Sequence, residues 1–232
     1  MATSLQFALS NPTPGMEEEF NRWYSGPHFT HTLKVPGILA GQRFRRAENG
    51  PWPAGKHDYL MIWELDDPRF ALEQLALVRG SEKMPLSPAV DMSTVQPPTM
   101  WLRAGVRSAA RIVTDTSSRR SVVLALLNPA EGEGPALERA MVSAALAELA
   151  DLPGVLAADL LTLADEQIRG NARKYGYGLL IELADEASGL AALAGPITQL
   201  PHVDYERWMA PVFRSLGPRV FAAADSATAA AR

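Results

Sequence analysis

The chain has 232 residues, of which 47% are hydrophobic and 21% are charged, and its formal net charge is -4. This composition is typical of a globular protein with a substantial core, and the lack of a broad positive field argues against nucleic acid as a partner. The chain contains no cysteine, which rules out disulfides, thiolate nucleophiles and thiolate-bound metals. We also expect neither a signal peptide nor a membrane span, and therefore a cytoplasmic protein.

The first predicted element is a strand from Leu5 to Ser10, in which large apolar residues alternate with polar or small ones. After a proline-containing break, Thr13 is expected to cap a helix and Pro14 to occupy its first turn. Three glutamates at positions 17–19 suit the positive end of a helix dipole. The sequence therefore predicts a helix that begins close to residue 13.

That helix is interrupted by Gly26 and Pro27. Proline removes a helical hydrogen bond and disfavours helical geometry at the residue before it, so we expect a kink or a restart there. A restart would place His28 in a new first turn, where the helix dipole favours a neutral imidazole that can act as a base. Spacings of three and four place the following side chains on one stripe of the helix: Phe20, Trp23, Tyr24, His28 and His31.

Three further strands and a second helix are predicted before residue 107. Asp67 and Pro68 are expected to cap that helix and Gly80 to end it. The resulting order is strand, helix, strand, strand, helix, strand. The predicted strands are Ile38–Arg46, His57–Leu65 and Thr99–Val106, and the helix runs from Asp67 to about Arg79.

The second part of the chain repeats the first. FALSNP at 7–12 matches LALLNP at 124–129, VPGILAGQRF at 35–44 matches LPGVLAADLL at 152–161, and DYLMIWELDD at 58–67 matches GYGLLIELAD at 176–185. Three matches in one order at offsets of 117 or 118 residues indicate an internal duplication. We therefore predict two halves, 1–107 and 108–232, with a joint at 107–120 and a tail at 222–232 that is expected to fray.

A four-stranded sheet with both helices on one face needs a cover on its other face, and the duplicate sheet can provide it. The stretch from Asn11 to Phe44, with its NP, PG, EEEFN, WY, VPG and QRF segments, resembles the EthD-like branch of the dimeric alpha-beta barrel superfamily. The resemblance implies an α+β fold in which two ferredoxin-like βαββαβ halves face each other as an intrachain barrel. It also implies a ligand site between the helices and the sheet of one half.

The polar residues of the first half point to a single site. His28 is the candidate for proton transfer, Tyr24 for hydrogen bonding to an enolate or phenolate oxygen, and Arg43 for holding a carboxylate. The structural alternatives are a buried histidine bonded to a carbonyl, an interfacial tyrosine and an arginine paired with a glutamate. At the offset of 117 residues, Trp23, Tyr24, His28, His31 and Arg43 become Ala140, Met141, Ala145, Glu148 and Leu160.

Aromatic and methionine side chains of the same region could form the walls of an aromatic pocket, although rows of such side chains along a strand also occur in ordinary cores. No third ligand accompanies the HxxH pair of His28 and His31, so we expect no metal. No phosphate loop or dinucleotide motif is present, so we expect no cofactor. His202 precedes the last strand and is either a loop residue or a cover for a neighbouring site. The predicted substrate-binding residues are His31, Trp23, Tyr59, Met61, Trp63 and Gln6.

These residues predict a cofactor-independent lyase, a decarboxylase or dehydratase that acts on an aromatic or polyketide-like carboxylic acid. The resemblance also admits a cofactor-free monooxygenase or isomerase of phenolic compounds, and haem chemistry. A ligand-binding barrel without catalysis is the alternative from another class. The expected partner is a small aromatic molecule, with a homodimer possible and neither nucleic acid nor membrane involved.

Overall fold

The computed structural model describes residues 2–48, 50–108, 119–168 and 173–223, which form an α+β structure. The predicted joint at 107–120 and the predicted tail at 222–232 lie largely outside these residues. None of the helices in these ranges combines the length and hydrophobicity that a membrane crossing needs. The strands are β1 Ser4–Ser10, β2 Ile38–Arg46, β3 Tyr59–Leu65, β4 Thr99–Arg107, β5 Ser121–Leu127, β6 Val155–Leu163, β7 Tyr177–Leu183, β8 Val212–Ser215 and β9 Val220–Phe221; the α-helices are α1 Glu17–Trp23, α2 Phe29–Thr32, α3 Pro68–Val78, α4 Gly134–Ala140, α5 Leu146–Ala150 and α6 Glu186–Leu193.

The strands close into one antiparallel barrel. Their order is β3-β1-β4-β6-β7-β5-β8-β2, and β2 pairs back with β3, while β9 adds to β2. The sequence predicted two sheets that pack face to face, but β4 pairs with β6 and β2 with β8, so hydrogen bonds join the sheets at both edges. Closure of this kind removes the unpaired sheet edges that two separate sheets would expose.

Alternation along each strand separates the barrel interior from the helix-covered outside. On β1, Leu5, Phe7 and Leu9 belong to the interior cluster, which also contains side chains from β3, β5 and β8. Gln6 and Ser10 lie on the opposite face, toward the helices. The space between this face and the helices of the first half is where the polar residues of interest lie.

Corresponding elements of the two halves are separated by a nearly constant number of residues along the chain. β5, α4 and β6 begin 117 residues after β1, α1 and β2, and β7 begins 118 residues after β3. This spacing agrees with the duplication found in the sequence. The division into halves 1–107 and 108–232 stays a prediction.

Helix ends agree with the sequence in one case and differ in another. Asp67 caps α3 by accepting a hydrogen bond from the Phe70 amide at 2.8 Å, and Gly80 follows the helix with a φ of +79°, as predicted. The predicted cap at Thr13 is wrong, because α1 begins at Glu17. The Thr13 hydroxyl instead donates to the Pro88 carbonyl, which ties the chain before α1 to the segment before β4.

A π-helical turn joins the two helices at the start of each half. In the first half it spans Tyr24–His28, and Gly26 has non-helical angles there (φ -105°, ψ -106°), so the predicted kink is present. In the second half it spans Met141–Ala145, without glycine or proline. The wide turn therefore belongs to the shared framework, and the Gly-Pro pair adds the kink.

Candidate active site

A small cavity of about 60 Å³ lies between the helices and the sheet of the first half. We call it the site cavity. Its volume is room for a few water molecules. Apolar side chains from β3, α3 and the segment 86–97 form much of its wall, and Ile168 reaches it from the second half. Its polar lining consists of Gln6, Ser10, Tyr24, His28, Thr32 and Arg79.

His28 lies against two aromatic rings of its own helix. It stacks on Trp23 with ring centroids 4.2 Å apart, and it meets the edge of Tyr24 at 4.9 Å. Its Nδ1 atom is buried and has no hydrogen-bond partner among the described residues. Burial lowers the pKa of His28 to about 3, and the nearby Arg79 charge acts in the same direction. The imidazole is therefore neutral near pH 7, through burial more than through the helix dipole that the sequence suggested.

Tyr24 is the second titratable group of the site cavity. It is buried, and burial raises the pKa of its phenol to about 12 against the opposing charges of Arg43 and Arg79. The hydroxyl is thus protonated at neutral pH and can donate a hydrogen bond. The π turn sets its relation to His28, because the two residues are the first and last of that turn.

Arg43 does not line the site cavity. Its guanidinium lies 4.9 Å from the centroid of the Tyr24 ring, and it donates to Asn21 Oδ1 at 2.6 Å and to Ser25 Oγ at 2.7 Å. Arg43 faces a second space of about 850 Å³ between α2 and residues 216–223, which we call the C-terminal groove. Tyr24 therefore separates the Arg43 guanidinium from His28, and the two side chains line different cavities.

Two other predicted residues do line the site cavity. Gln6 is buried there and donates to Thr99 Oγ1 at 3.3 Å. Trp63 lines the cavity from β3 and packs against Phe29 with ring centroids 5.2 Å apart. Trp23 lines it as well, so three of the residues that the sequence placed around an aromatic pocket are found at this cavity.

The remaining predicted binding residues lie elsewhere. His31 faces a surface groove between α2 and α3. Tyr59 donates to Glu17 Oε1 at 2.5 Å and accepts from Asn21 Nδ2 at 3.1 Å. Met61 is fully buried in the hydrophobic cluster of the first half. None of these three side chains is therefore among the residues that line the site cavity.

Second-half positions confirm the contrast between the two copies. Met141 and Leu160, which correspond to Tyr24 and Arg43, are fully buried in the hydrophobic cluster of the second half. His202 Nδ1 lies 2.9 Å from Glu133 Oε2 in the second half, and His202 does not line the site cavity. Within the described residues, no three histidine, aspartate or glutamate side chains are grouped so that they could hold a metal ion.

Arg79 is a residue of the site cavity that the sequence did not indicate. It follows α3, and a positive side chain at the C-terminal end of a helix normally interacts favourably with the helix dipole. In the structure it lines the site cavity with His28 and Tyr24. No local signal distinguishes this arginine, because its position depends on how α3 packs against the sheet.

Comparison with solved structures shows which proteins share the fold of this chain. An anthrone oxidase-like protein superimposes with a TM-score of 0.66 at 11% identity, over 97% of this chain and 95% of that one. A putative monooxygenase from Fusobacterium nucleatum gives 0.61 at 11% identity over 95% and 97%, and a DyP-type peroxidase from Mycobacterium smegmatis gives 0.55 at 10% over 93% and 93%. No family model and no curated protein matches the sequence. The shared fold is the dimeric alpha-beta barrel.

Proposed function

We propose that this protein is a cofactor-independent monooxygenase that acts on a phenolic or related aromatic compound in the site cavity. The observation that carries the proposal is a neutral His28 with an unpartnered Nδ1, in one cavity with the protonated Tyr24 and the cationic Arg79. Structural similarity to an anthrone oxidase-like protein and to putative monooxygenases supports it.

In the proposed reaction, His28 Nδ1 removes a proton from a phenol or from an acidic C–H beside a carbonyl. Tyr24 donates a hydrogen bond to the oxygen on which the negative charge develops. The resulting carbanion or phenolate is electron-rich and reduces dioxygen, which adds to carbon as a peroxide. Loss of water from that peroxide leaves a new carbonyl, so a CH₂ group and O₂ become C=O and H₂O.

Substrate binding has to enlarge the site cavity. Its volume of about 60 Å³ is well below the roughly 300 Å³ at which small-molecule pockets begin. Leu86 and Met92, from the segment between α3 and β4, and Ile168 from the second half form part of its wall. We propose that these side chains move aside when an aromatic ring binds.

A decarboxylase is the second candidate, and one observation favours it. Arg79 lines the site cavity and would hold a substrate carboxylate, the role that the sequence assigned to Arg43. Arg43 itself is occupied by Asn21 and Ser25. The two candidates differ in the gas involved, since the monooxygenase consumes O₂ and the lyase releases CO₂.

The test uses anthrone as the first substrate, because a structurally similar protein is described as anthrone oxidase-like. We expect oxygen uptake and anthraquinone formation in equal amounts. His28→Ala should lower turnover by about 100-fold or more and Tyr24→Phe by about 10-fold. His202→Asn is the matched control, since this histidine pairs with Glu133 in the second half.

Each other outcome has a clear meaning. Equal turnover in the control, His28→Ala and Tyr24→Phe would remove the proposed site. Release of CO₂ from aromatic acids without oxygen would favour the lyase. The visible spectrum of the purified protein separates both from haem chemistry, because haem absorbs strongly there.

The finer family assignment is part of the proposal. We infer that the chain is a tandem, EthD-like protein of two ferredoxin-like halves, 1–107 and 108–232, on the strength of the motif between Asn11 and Phe44. An aromatic small molecule as partner and a homodimer also stay predictions.

A further inference from the structure

We propose that Arg79 binds the anionic oxygen of the substrate, and that the substrate reaches the site cavity past Arg79 and Ile168, at the boundary between the two halves. This inference rests on the proposed function of the same site. It names the residue that stabilises charge and assigns the second half a part in the site.

The path is defined by a groove on the outer side of α3. This α3 groove has a volume of about 520 Å³ and runs between α3 and second-half residues that include 165–168 and Arg173. Leu75, Arg79 and Ile168 line both the α3 groove and the site cavity. These three side chains therefore form the partition between solvent and His28.

The lining of the site cavity explains why a cation is needed there. Trp23, Trp63 and Leu75 give it apolar walls, and an anion in such surroundings is costly unless an opposite charge is close. When His28 takes the proton, the substrate becomes an anion in this setting. Arg79 lines the site cavity, whereas Arg43 faces the C-terminal groove.

Electrostatics support this placement. The charge of Arg79 lowers the pKa of both His28 and Tyr24, so it acts on the two groups that would contact the substrate oxygen. Arg79 lies at the end of α3 and Ile168 lies beyond β6, so the partition is made by both halves. A single half would lack one side of it.

The experiment is a spectroscopic titration with 4-nitrophenol, whose phenolate absorbs in the visible region. We expect the apparent pKa of the bound probe to fall by about one unit or more relative to the free probe. Arg79→Met should abolish that shift and Arg79→Lys should retain part of it. Arg207→Met is the control, because Arg207 is an exposed arginine that pairs with Asp204 and lines neither the site cavity nor the α3 groove.

The route is tested separately by the rate of binding. Ile168→Trp enlarges the side chain in the partition, and we expect the association rate of 4-nitrophenol, followed by stopped flow, to fall about 10-fold. Arg207→Met, outside the groove, should leave that rate unchanged. An unchanged rate would overturn the route. An unchanged shift in Arg79→Met, or no shift in the unmodified protein, would overturn the role of Arg79.

The two measurements with 4-nitrophenol do not depend on turnover. The probe reports binding and deprotonation, and neither needs oxygen. A protein that shows the Arg79-dependent shift but takes up no oxygen would overturn the monooxygenase and leave this inference standing. Oxygen uptake together with an unchanged pKa shift of the probe in Arg79→Met would support the monooxygenase and overturn the role of Arg79.

Discussion

At the residue scale, the chemistry of the candidate site depends on one histidine kept neutral by its surroundings. His28 stacks on Trp23 and meets the edge of Tyr24, and its Nδ1 atom is buried. A charged imidazole would lose most of its hydration in this position. The imidazole is therefore neutral near pH 7, and in the proposed reaction it acts as the base.

This burial has a consequence for stability below neutral pH. The pKa of His28 is about 3 in the folded protein and 6.5 in a model peptide. Between these values the unfolded chain binds a proton at residue 28 that the folded chain does not, so the free energy of unfolding falls as the pH falls. The contribution from this one residue has a slope of about 1.4 kcal/mol per pH unit.

The measurement is urea denaturation at several pH values for the unmodified protein and for His28→Gln. The difference between the two profiles isolates residue 28 from other groups, including His57, whose pKa is also lowered by burial. We expect the variant to lose less stability between pH 6.5 and 4. Tyr24→Phe is the control, because a phenol with a pKa near 12 does not titrate in this range. Parallel profiles for His28→Gln would show that the imidazole titrates normally.

At the element scale, the packing of β2 against β3 positions Trp63, which lines the site cavity. Gly41 on β2 is directly opposite Trp63 on β3, and a Cβ atom at Gly41 would come within 3.0 Å of the Trp63 ring and of Met61 Cε. The absent side chain therefore leaves the space that the indole occupies. Glycine in a strand often marks such a close approach.

Gly41→Ala should lower the free energy of unfolding by about 1–3 kcal/mol, because the indole and the Met61 side chain have to move out of a packed layer. Chemical denaturation measures this. Gly217→Ala is the matched control, since a Cβ atom there would have nothing within 4 Å. Equal stability of both variants would show that Trp63 is free to shift.

At the scale of the whole molecule, a buried ionic cluster links the two halves. Arg119, whose side chain is 11% exposed, donates to Glu64 Oε1 on β3 at 3.1 Å and to Glu182 Oε1 on β7 at 2.9 Å. Arg219 also pairs with Glu64. The two glutamates occupy equivalent positions of the duplicated sequence, so one arginine bridges both copies.

Arg119→Ala should therefore destabilise the protein by about 3 kcal/mol or more, because it leaves two buried carboxylates with fewer partners. Thermal and urea unfolding measure the loss. Arg207→Ala removes an exposed pair with Asp204 and should cost less than about 1 kcal/mol. Similar losses in both variants would mean that the cluster adds nothing beyond a surface ion pair.

Several features of the site follow from local patterns. Trp23, Tyr24 and His28 lie within six residues on one stretch of helix, and they meet in the structure as the spacing predicts. Arg43 lies on the side of β2 that faces the first helix, but alternation along a strand does not reveal that Asn21 and Ser25 already bind its guanidinium. A residue's face is local information, whereas its partners depend on packing.

The amino-acid sequence by itself determined the strand and helix order, the duplication and the choice of the first half as the polar one. All three are periodic or repeated patterns in neighbouring residues, which hydrophobic alternation and helical spacing make readable. Only the tertiary structure decided that the sheets join as a closed barrel, that the site cavity is small, and that Arg79 and Ile168 line it while Arg43 does not. These properties arise where elements far apart in the chain pack together, because contact between them depends on the whole fold.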